Sequence, residues 1–297
     1  SKLLGEGKRL QRKMAWSRAL LGLRCKEIHV CGALNTKELL EKILTDCNDD
    51  YEINEYTRNT PLEVEYKNFS YNDTKEGDAI VVFSKKRVLE IAQSYSEKGI
   101  KASIIYGDLP PEVRKMQYAE FLNKETKVLV TTDAIGMGVN LPIRRIIFMS
   151  VSKYDGEEVR ELTSQEVKQV AGRAGRKGIY DVGYVAAVGG TQDLLKEKLE
   201  VKDKLIEKAV IGPSDAILKI KNLPLNQKLA LWKDREESLD YYTKMDISEY
   251  LLILERIKKY KLKEVDQWNL IKVPFDVSRD DLMELFLFYV DELFVLK

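Results

Sequence analysis

The chemistry in this sequence is concentrated in one octet, Gln169-Val170-Ala171-Gly172-Arg173-Ala174-Gly175-Arg176. Two arginines three residues apart share one face of a helix, here predicted over Thr163 to Arg176. Planar guanidiniums at that spacing suit phosphate oxygens, and one could stabilise the charge that develops in phosphoryl transfer. Gly172 and Gly175 carry no side chain and so let another backbone or a nucleotide come close. An isolated R-x-x-R is commonly a surface helix whose arginines pair with carboxylates. The whole octet is a far rarer pattern.

Three further segments follow apolar runs. In Thr131 to Pro142, Asp133 can cap a short helix, and the hydroxyls of Thr131 and Thr132 with free N–H groups would hold a phosphate. Gly136 and Gly138 would admit a backbone, and Asn140 could reach a ribose hydroxyl; taken alone, a plain strand-to-helix turn explains this segment equally well. The run Val81 to Phe83 delivers Ser84 and three cations, Lys85, Lys86 and Arg87, which could hold nucleic-acid phosphates or form a solvated charge cluster. Tyr106 to Arg114 reads as a proline-shaped turn with Arg114 as a structural pair. No G-x-x-x-x-G-K-[ST] loop occurs, and Gly5-Glu6-Gly7-Lys8-Arg9 has the wrong spacing. No Asp-Glu pair follows an apolar strand as a magnesium motif requires. His29 and Cys31 read as strand residues, and no metal site is expected.

These segments need a frame. Strands are expected at Glu27–Cys31, Ala79–Phe83, Ala102–Tyr106, Lys127–Val130, Arg145–Met149 and Gly183–Val188, with strand-like alternation at 52–56 and 62–66. Helices are expected at Trp16–Leu23, Lys37–Leu44, Val88–Lys98 and from Pro111 to about Leu122. Strands alternating with helices of this length imply an α/β fold with a parallel sheet, whose ligands sit at the carboxyl ends of the strands. Past Gly189-Gly190 the texture turns helical, beginning with a charge-rich helix over Asp193–Val210. The stripe Leu282, Leu285, Phe286 and Tyr289 is expected to be the buried face of a late helix.

Composition narrows the class. Among 297 residues, 49 Lys+Arg against 48 Asp+Glu give a net charge of +1, which excludes a globally basic nucleic-acid binder but not a local basic groove. The length suggests two domains. Three cysteines without a C-x-x-C pair argue against a disulfide framework and for a reducing intracellular compartment. The longest apolar stretch, Leu285 to Val290, is far short of the ~20 residues that span a bilayer. The amino terminus lacks a signal-peptide pattern and reads as a cut inside a longer protein.

Taken in order, the motifs resemble the second RecA-like domain of superfamily 2 DExH-type RNA helicases, most closely the mitochondrial degradosome RNA helicase family, which also has bacterial members. The octet resembles helicase motif VI, Thr131–Leu141 motif V and Val81–Lys85 motif IV. Residues 15–32 are similar to the end of a first RecA-like domain. Ile211-Gly212-Pro213, Asn222-Leu223-Pro224 and Val273-Pro274-Phe275 resemble the family's C-terminal module. The resemblance implies a tail of the first RecA-like domain at 1–34, a second RecA-like domain at 35–192 and a small all-α domain at 193–297. It implies that Arg173 and Arg176 are arginine fingers with Gln169 beside them, and that Gly138, Asn140 and Gly172 lie near ATP. Ser84, Lys85, Thr131 and Thr132 would contact RNA that is single-stranded or carries a single-stranded tail. Motifs I and II are absent, so ATP and Mg would be bound mainly by a missing N-terminal RecA-like domain, and this fragment alone would be inactive. An exoribonuclease is among the partners implied; the compartment is the cytoplasm for a bacterial member and the mitochondrial matrix otherwise. The competing function is a non-catalytic RecA-like module that binds RNA or docks a partner; an unrelated nucleotide-binding enzyme would need a phosphate loop that is not present.

Overall fold

The computed structural model describes residues 16–58, 60–136, 140–156, 158–236 and 240–295. Gly5–Arg9 and Gly138 therefore lie outside the described residues. The chain divides into two compact units: Ile53–Lys204, and the residues before Ile53 together with those after Lys204. After a helical stretch at 16–22 and helix α1 (Lys37–Asp46), which belong to the latter, the chain enters the α/β unit.

That unit runs β1 (Leu62–Val64), β2 (Asp78–Val81), α2 (Lys85–Glu97), β3 (Ala102–Ile105), α3 (Pro111–Leu122), β4 (Val128–Thr131) and β5 (Arg145–Phe148). It continues through β6 (Ser152–Tyr154), β7 (Val159–Glu161), α4 (Ser164–Ala171), β8 (Gly183–Ala187) and α5 (Gln192–Glu200). Among the described residues, six strands form a wholly parallel sheet in the order β1-β8-β5-β2-β4-β3. β2, β4 and β5 are buried at every position because helices cover both faces. Successive side chains point to opposite faces. Ala79, Val81, Ile146 and Phe148 pack with Val167 and Val170 of α4 and Leu195 of α5, while Ile80, Ile147 and Val130 pack with Val88, Ile91 and Tyr95 of α2. The connection leaving β2 crosses β4 to reach β3, and that leaving β4 crosses β2 to reach β5. Such a reversal opens a crevice between the carboxyl ends of β2 and β4.

Several expectations are corrected. The octet is not one helix: α4 stops at Ala171, Gly172 caps it and Gly175 takes φ +78°. A Cβ on Gly175 would lie 2.5 Å from Thr60 Cγ2 and 2.9 Å from the Gly183 nitrogen, so only glycine lets the chain turn there. The 27–31 stretch has no ladder partner among the described residues, and Ile28 and Val30 are exposed; alternation alone does not supply a neighbouring strand. Residues 52–56 form no strand either. The helix expected over 193–210 ends at Glu200, since Ala209 and Val210 are drawn into a ladder. The compact α/β unit runs to Lys204, with α5 on the sheet through Leu195.

The second unit is mainly helical, with α6 (Leu225–Asp234), α7 (Ser248–Ile257), α8 (Glu264–Leu270) and α9 (Asp280–Phe294), but it also contains β9 (Ala209–Ile211) paired in parallel with β10 (Tyr242–Lys244). Its core joins Leu229, Ile253, Ile257, Trp268, Met283, Phe286 and Val290. The buried face of α9 is therefore Met283–Phe286–Val290, rotated from the expected stripe; Leu285 and Tyr289 are exposed. Among the described residues no helix is long and apolar enough to cross a membrane.

Candidate functional site

The carboxyl rim of the sheet collects the first group. Ser84 is the N-cap of α2, its hydroxyl accepting from the Arg87 N–H at 3.2 Å. Of the three cations that follow, Arg87 pairs with Glu90 at 2.8 Å and Lys86 approaches the same carboxylate at 3.9 Å, whereas Lys85 Nζ stands 5.1 Å from the ring centre of Tyr106. The charge cluster is thus partly a solvated helix face, with Lys85 turned to the next strand end. Arg114 donates to the carbonyls of Gly107 (2.7 Å) and Tyr106 (3.1 Å), so it pins the loop after β3 rather than pairing with an acid. Thr131 does not fit an RNA contact: it is wholly buried and its hydroxyl donates to the Thr132 carbonyl at 3.0 Å. Thr132 reaches the rim half-buried, its hydroxyl accepting from the Ala134 N–H at 3.3 Å.

The second group lies along α4. This helix begins beside the carboxyl end of β5, where the Leu162 N–H donates to the Val151 carbonyl at 2.8 Å. Its final turn ends beside the residues preceding β5, where the Gly175 N–H donates to the Ile143 carbonyl at 2.8 Å. The segment after β4 runs the same way, and the two meet at Gly136. Its carbonyl accepts from Gln169 Nε2 at 3.3 Å and from Arg173 Nη2. Arg176 Nη1 approaches the Asn140 carbonyl at 3.5 Å and makes no ion pair with any described residue. Gln169, Arg173, Arg176 and Asn140 are thereby brought together. Gly172 and Gly175 serve backbone packing: a Cβ on Gly172 would sit 2.7 Å from the Lys168 carbonyl.

A network of charges fixes the start of α4. Thr163 and Glu166 form a capping box. Arg160 donates to both oxygens of Glu166 at 2.9 Å, and Lys153 bridges Glu166 (2.8 Å) and Asp133 (3.0 Å). Burial disfavours the charged form of Glu166, but hydrogen bonds from Arg160, Lys153 and the Thr163 N–H outweigh it and hold its pKa far below the carboxylate range. Lys153 shows the mirror effect: burial lowers its pKa, and its two carboxylate partners raise it above the ordinary value.

Sequence reasoning missed two contributors. Arg58 donates to the carbonyls of Thr60, Gly172 and Ala174, bracing the arginine turn from a segment that carries no motif. The Thr163…Glu166 spacing, by contrast, is a capping-box signal that was open to reading. Among the described residues no three His, Cys, Asp or Glu side chains are grouped to hold a metal ion. The arginine surface offers cations and amides, a donor set for a phosphate anion rather than for a divalent cation.

Residues 57–178 match the helicase conserved C-terminal domain, and residues 7–56 match the DEXQ-box helicase domain of Suv3. The "ATP-dependent RNA helicase SUV3L, mitochondrial" of rice is 34% identical over 90% of this chain and 38% of its own length. The SUV3 helicase of Saccharomyces cerevisiae is 38% identical over 69% of this chain and 29% of its own length. The DExH16 helicase of Arabidopsis thaliana is 40% identical over 70% of this chain and 38% of its own length. The chain spans well under half the length of these relatives. The two helicase matches lie in tandem, and together with these relatives they make the chain similar to the C-terminal half of SUV3-type superfamily 2 RNA helicases.

Proposed function

We infer that this chain supplies the arginines for ATP hydrolysis, and a phosphate-binding rim for RNA, in an ATP-driven RNA helicase. The observation that carries the reading is the shared Gly136 carbonyl, which holds Gln169 and Arg173 at one point beside Arg176 and Asn140. Arg173 reaches a neutral acceptor there. A γ-phosphate oxygen would offer it a stronger, charge-assisted bond, and the planar fork would oppose charge developing on the transferred phosphoryl group. Gln169 would keep the segment after β4 in place while that exchange occurs. The phosphate-binding lysine and the magnesium-binding acid of such motors belong to a P-loop domain, so Mg would be held by that domain and would supply charge neutralisation from there.

RNA would lie along the carboxyl rim, over Ser84, Lys85 and Thr132. The relatives named mitochondrial support the mitochondrial matrix over the cytoplasm as the working compartment. This chain alone would bind single-stranded RNA weakly and hydrolyse no ATP. Fluorescence anisotropy with a labelled oligoribonucleotide, titrated with salt, and a phosphate-release assay test both halves of this reading. Affinity should fall by about 0.7 log units per log unit of salt for each phosphate contacted. Salt-independent binding would refute the rim, and ATP hydrolysis by the purified chain would overturn the split motor.

A further inference from the structure

Carbonyls at and just beyond the end of a helix lack intrahelical donors and must find them elsewhere. At the end of α4 the Val170 and Ala171 carbonyls accept from the Arg173 and Ala174 N–H groups, while those of Gly172 and Ala174 are met by one side chain, that of Arg58, 114 positions before Gly172. Its Nη1 donates to the Gly172 carbonyl at 2.6 Å and its Nη2 to the Ala174 carbonyl. These carbonyls belong to the residues on either side of Arg173, and sit in the Gly172–Arg173 and Ala174–Gly175 peptide groups. A planar fork that grips both fixes the orientation of the backbone from which the Arg173 side chain departs. Arg58 Nε donates to the Thr60 carbonyl, which anchors the fork to its own segment. Buried Thr60 in turn lies against Gly175, where a Cβ would come within 2.5 Å of its methyl. From the other side the Gly175 N–H donates to the Ile143 carbonyl, and the Ala174 carbonyl lies 2.5 Å from where a Gly183 Cβ would stand. The arginine turn is therefore held between the 58–60 segment and the amino ends of β5 and β8. Arg58 also stands just past residue 56, where the match to the first helicase domain ends and that to the second begins.

We propose that Arg58 is a positioning residue for ATP hydrolysis, holding the turn at Gly172–Arg176 so that Arg173 and Arg176 are aimed at the nucleotide. The proposal rests on the arginine-finger reading and adds to it the element that sets the fingers' geometry. Arg58 touches no nucleotide; it acts through the two carbonyls that flank Arg173. A lysine at this position could reach one carbonyl but could not hold two in a common plane.

Two measurements on the complete helicase, this chain joined to its P-loop domain, test it. Arg58→Ala and Arg58→Lys should lower the kcat of RNA-stimulated ATP hydrolysis by ~10- to 100-fold, the scale of an ångström-level misplacement, with KM for ATP changed less than about twofold. In the Arg58→Ala/Arg173→Ala double variant the losses should not multiply, because one residue acts through the other. Amide hydrogen exchange at Gly175 and Arg176 should speed up by ~10-fold or more in Arg58→Ala while the strands of the sheet stay protected. Unchanged exchange at the turn, or multiplicative losses of kcat, would overturn the positioning role while leaving the finger reading intact. Normal turnover in Arg173→Ala and Arg176→Ala would remove the fingers and the positioning role with them. If Arg58→Ala lowers protection across the whole sheet, the exchange test passes to Arg58→Lys, and unchanged exchange there would overturn the proposal.

Discussion

The α/β unit holds two pairs of arginines in contrasting settings. Arg144 and Arg145, at the amino end of β5, both donate to Asp78, whose carboxylate is wholly inaccessible to solvent. Arg145 adds Glu65 at 2.7 Å and the Asp73 carbonyl at 2.9 Å. Arg173 and Arg176, on the turn after α4, donate to the backbone carbonyls of Gly136 and Asn140. Two pairs of arginines close in sequence thus meet different acceptors. An arginine clamped bidentately to a buried carboxylate cannot leave without stranding a charge. An arginine resting on a neutral carbonyl can exchange it for an incoming anion at small cost. The acceptor, not the spacing of the arginines, separates the two pairs.

Four predictions probe that contrast, in descending order of expected effect. Arg173→Ala in the complete helicase should lower ATP turnover by ~10³-fold or more, within the range that arginine fingers contribute. A steady-state ATPase assay reads this directly, and RNA affinity without nucleotide should hardly change. Asp78→Ala should destabilise the sheet by about 3–5 kcal/mol, because it takes the carboxylate from the Arg144 guanidinium and leaves buried Arg145 with Glu65 alone. Urea unfolding measures it, and a loss under about 1 kcal/mol would mean that water reaches the pair. Glu166→Gln should cost stability in a pH-dependent way. The folded-state pKa of Glu166 lies well below its ordinary value of 4.5, so its stabilisation is complete above that value and drains as pH falls toward the folded pKa. The gap between the wild-type chain and Glu166→Gln should therefore shrink on acidification from pH 6 to about pH 3; a constant gap would assign the effect to packing. The smallest effect belongs to the rim: Lys85→Ala should lessen the salt slope of RNA binding by about 0.7, the share of one phosphate contact on a single strand.

Much of this was legible in the sequence where the signal was local. Fully apolar runs such as Ala79–Val82 gave buried parallel strands, and Pro110-Pro111 marked the start of α3. The octet set Gln169, Arg173 and Arg176 within one short stretch, and the structure gathers them at the Gly136 and Asn140 carbonyls. What stayed hidden depended on partners distant in the chain. The alternation at 27–31 looks like a strand, yet a strand exists only with a neighbour to bond it. Thr131 looked like a surface hydroxyl until β3 and β2 closed on either side of β4 and buried it. The helical stripe through Leu285 and Tyr289 was misplaced because Val290 and Met283 fit the core of the second unit better. Arg58 carried no motif at all; its role comes from carbonyls exposed where α4 stops, and the stop depends on packing between Gly175, Thr60 and Gly183.

If the two arginine pairs divide stability from chemistry, as the finger reading requires, a crossed measurement separates them. Arg145→Ala and Arg176→Ala would be made in the complete helicase, with urea midpoint and turnover per folded molecule recorded for each. Arg145→Ala should lower the midpoint and leave turnover per folded molecule near that of the unaltered enzyme. Arg176→Ala should keep the midpoint and lose turnover by ~10²-fold or more. If Arg176→Ala turned over ATP normally, or if both variants lost stability and activity in parallel, the division would be contradicted.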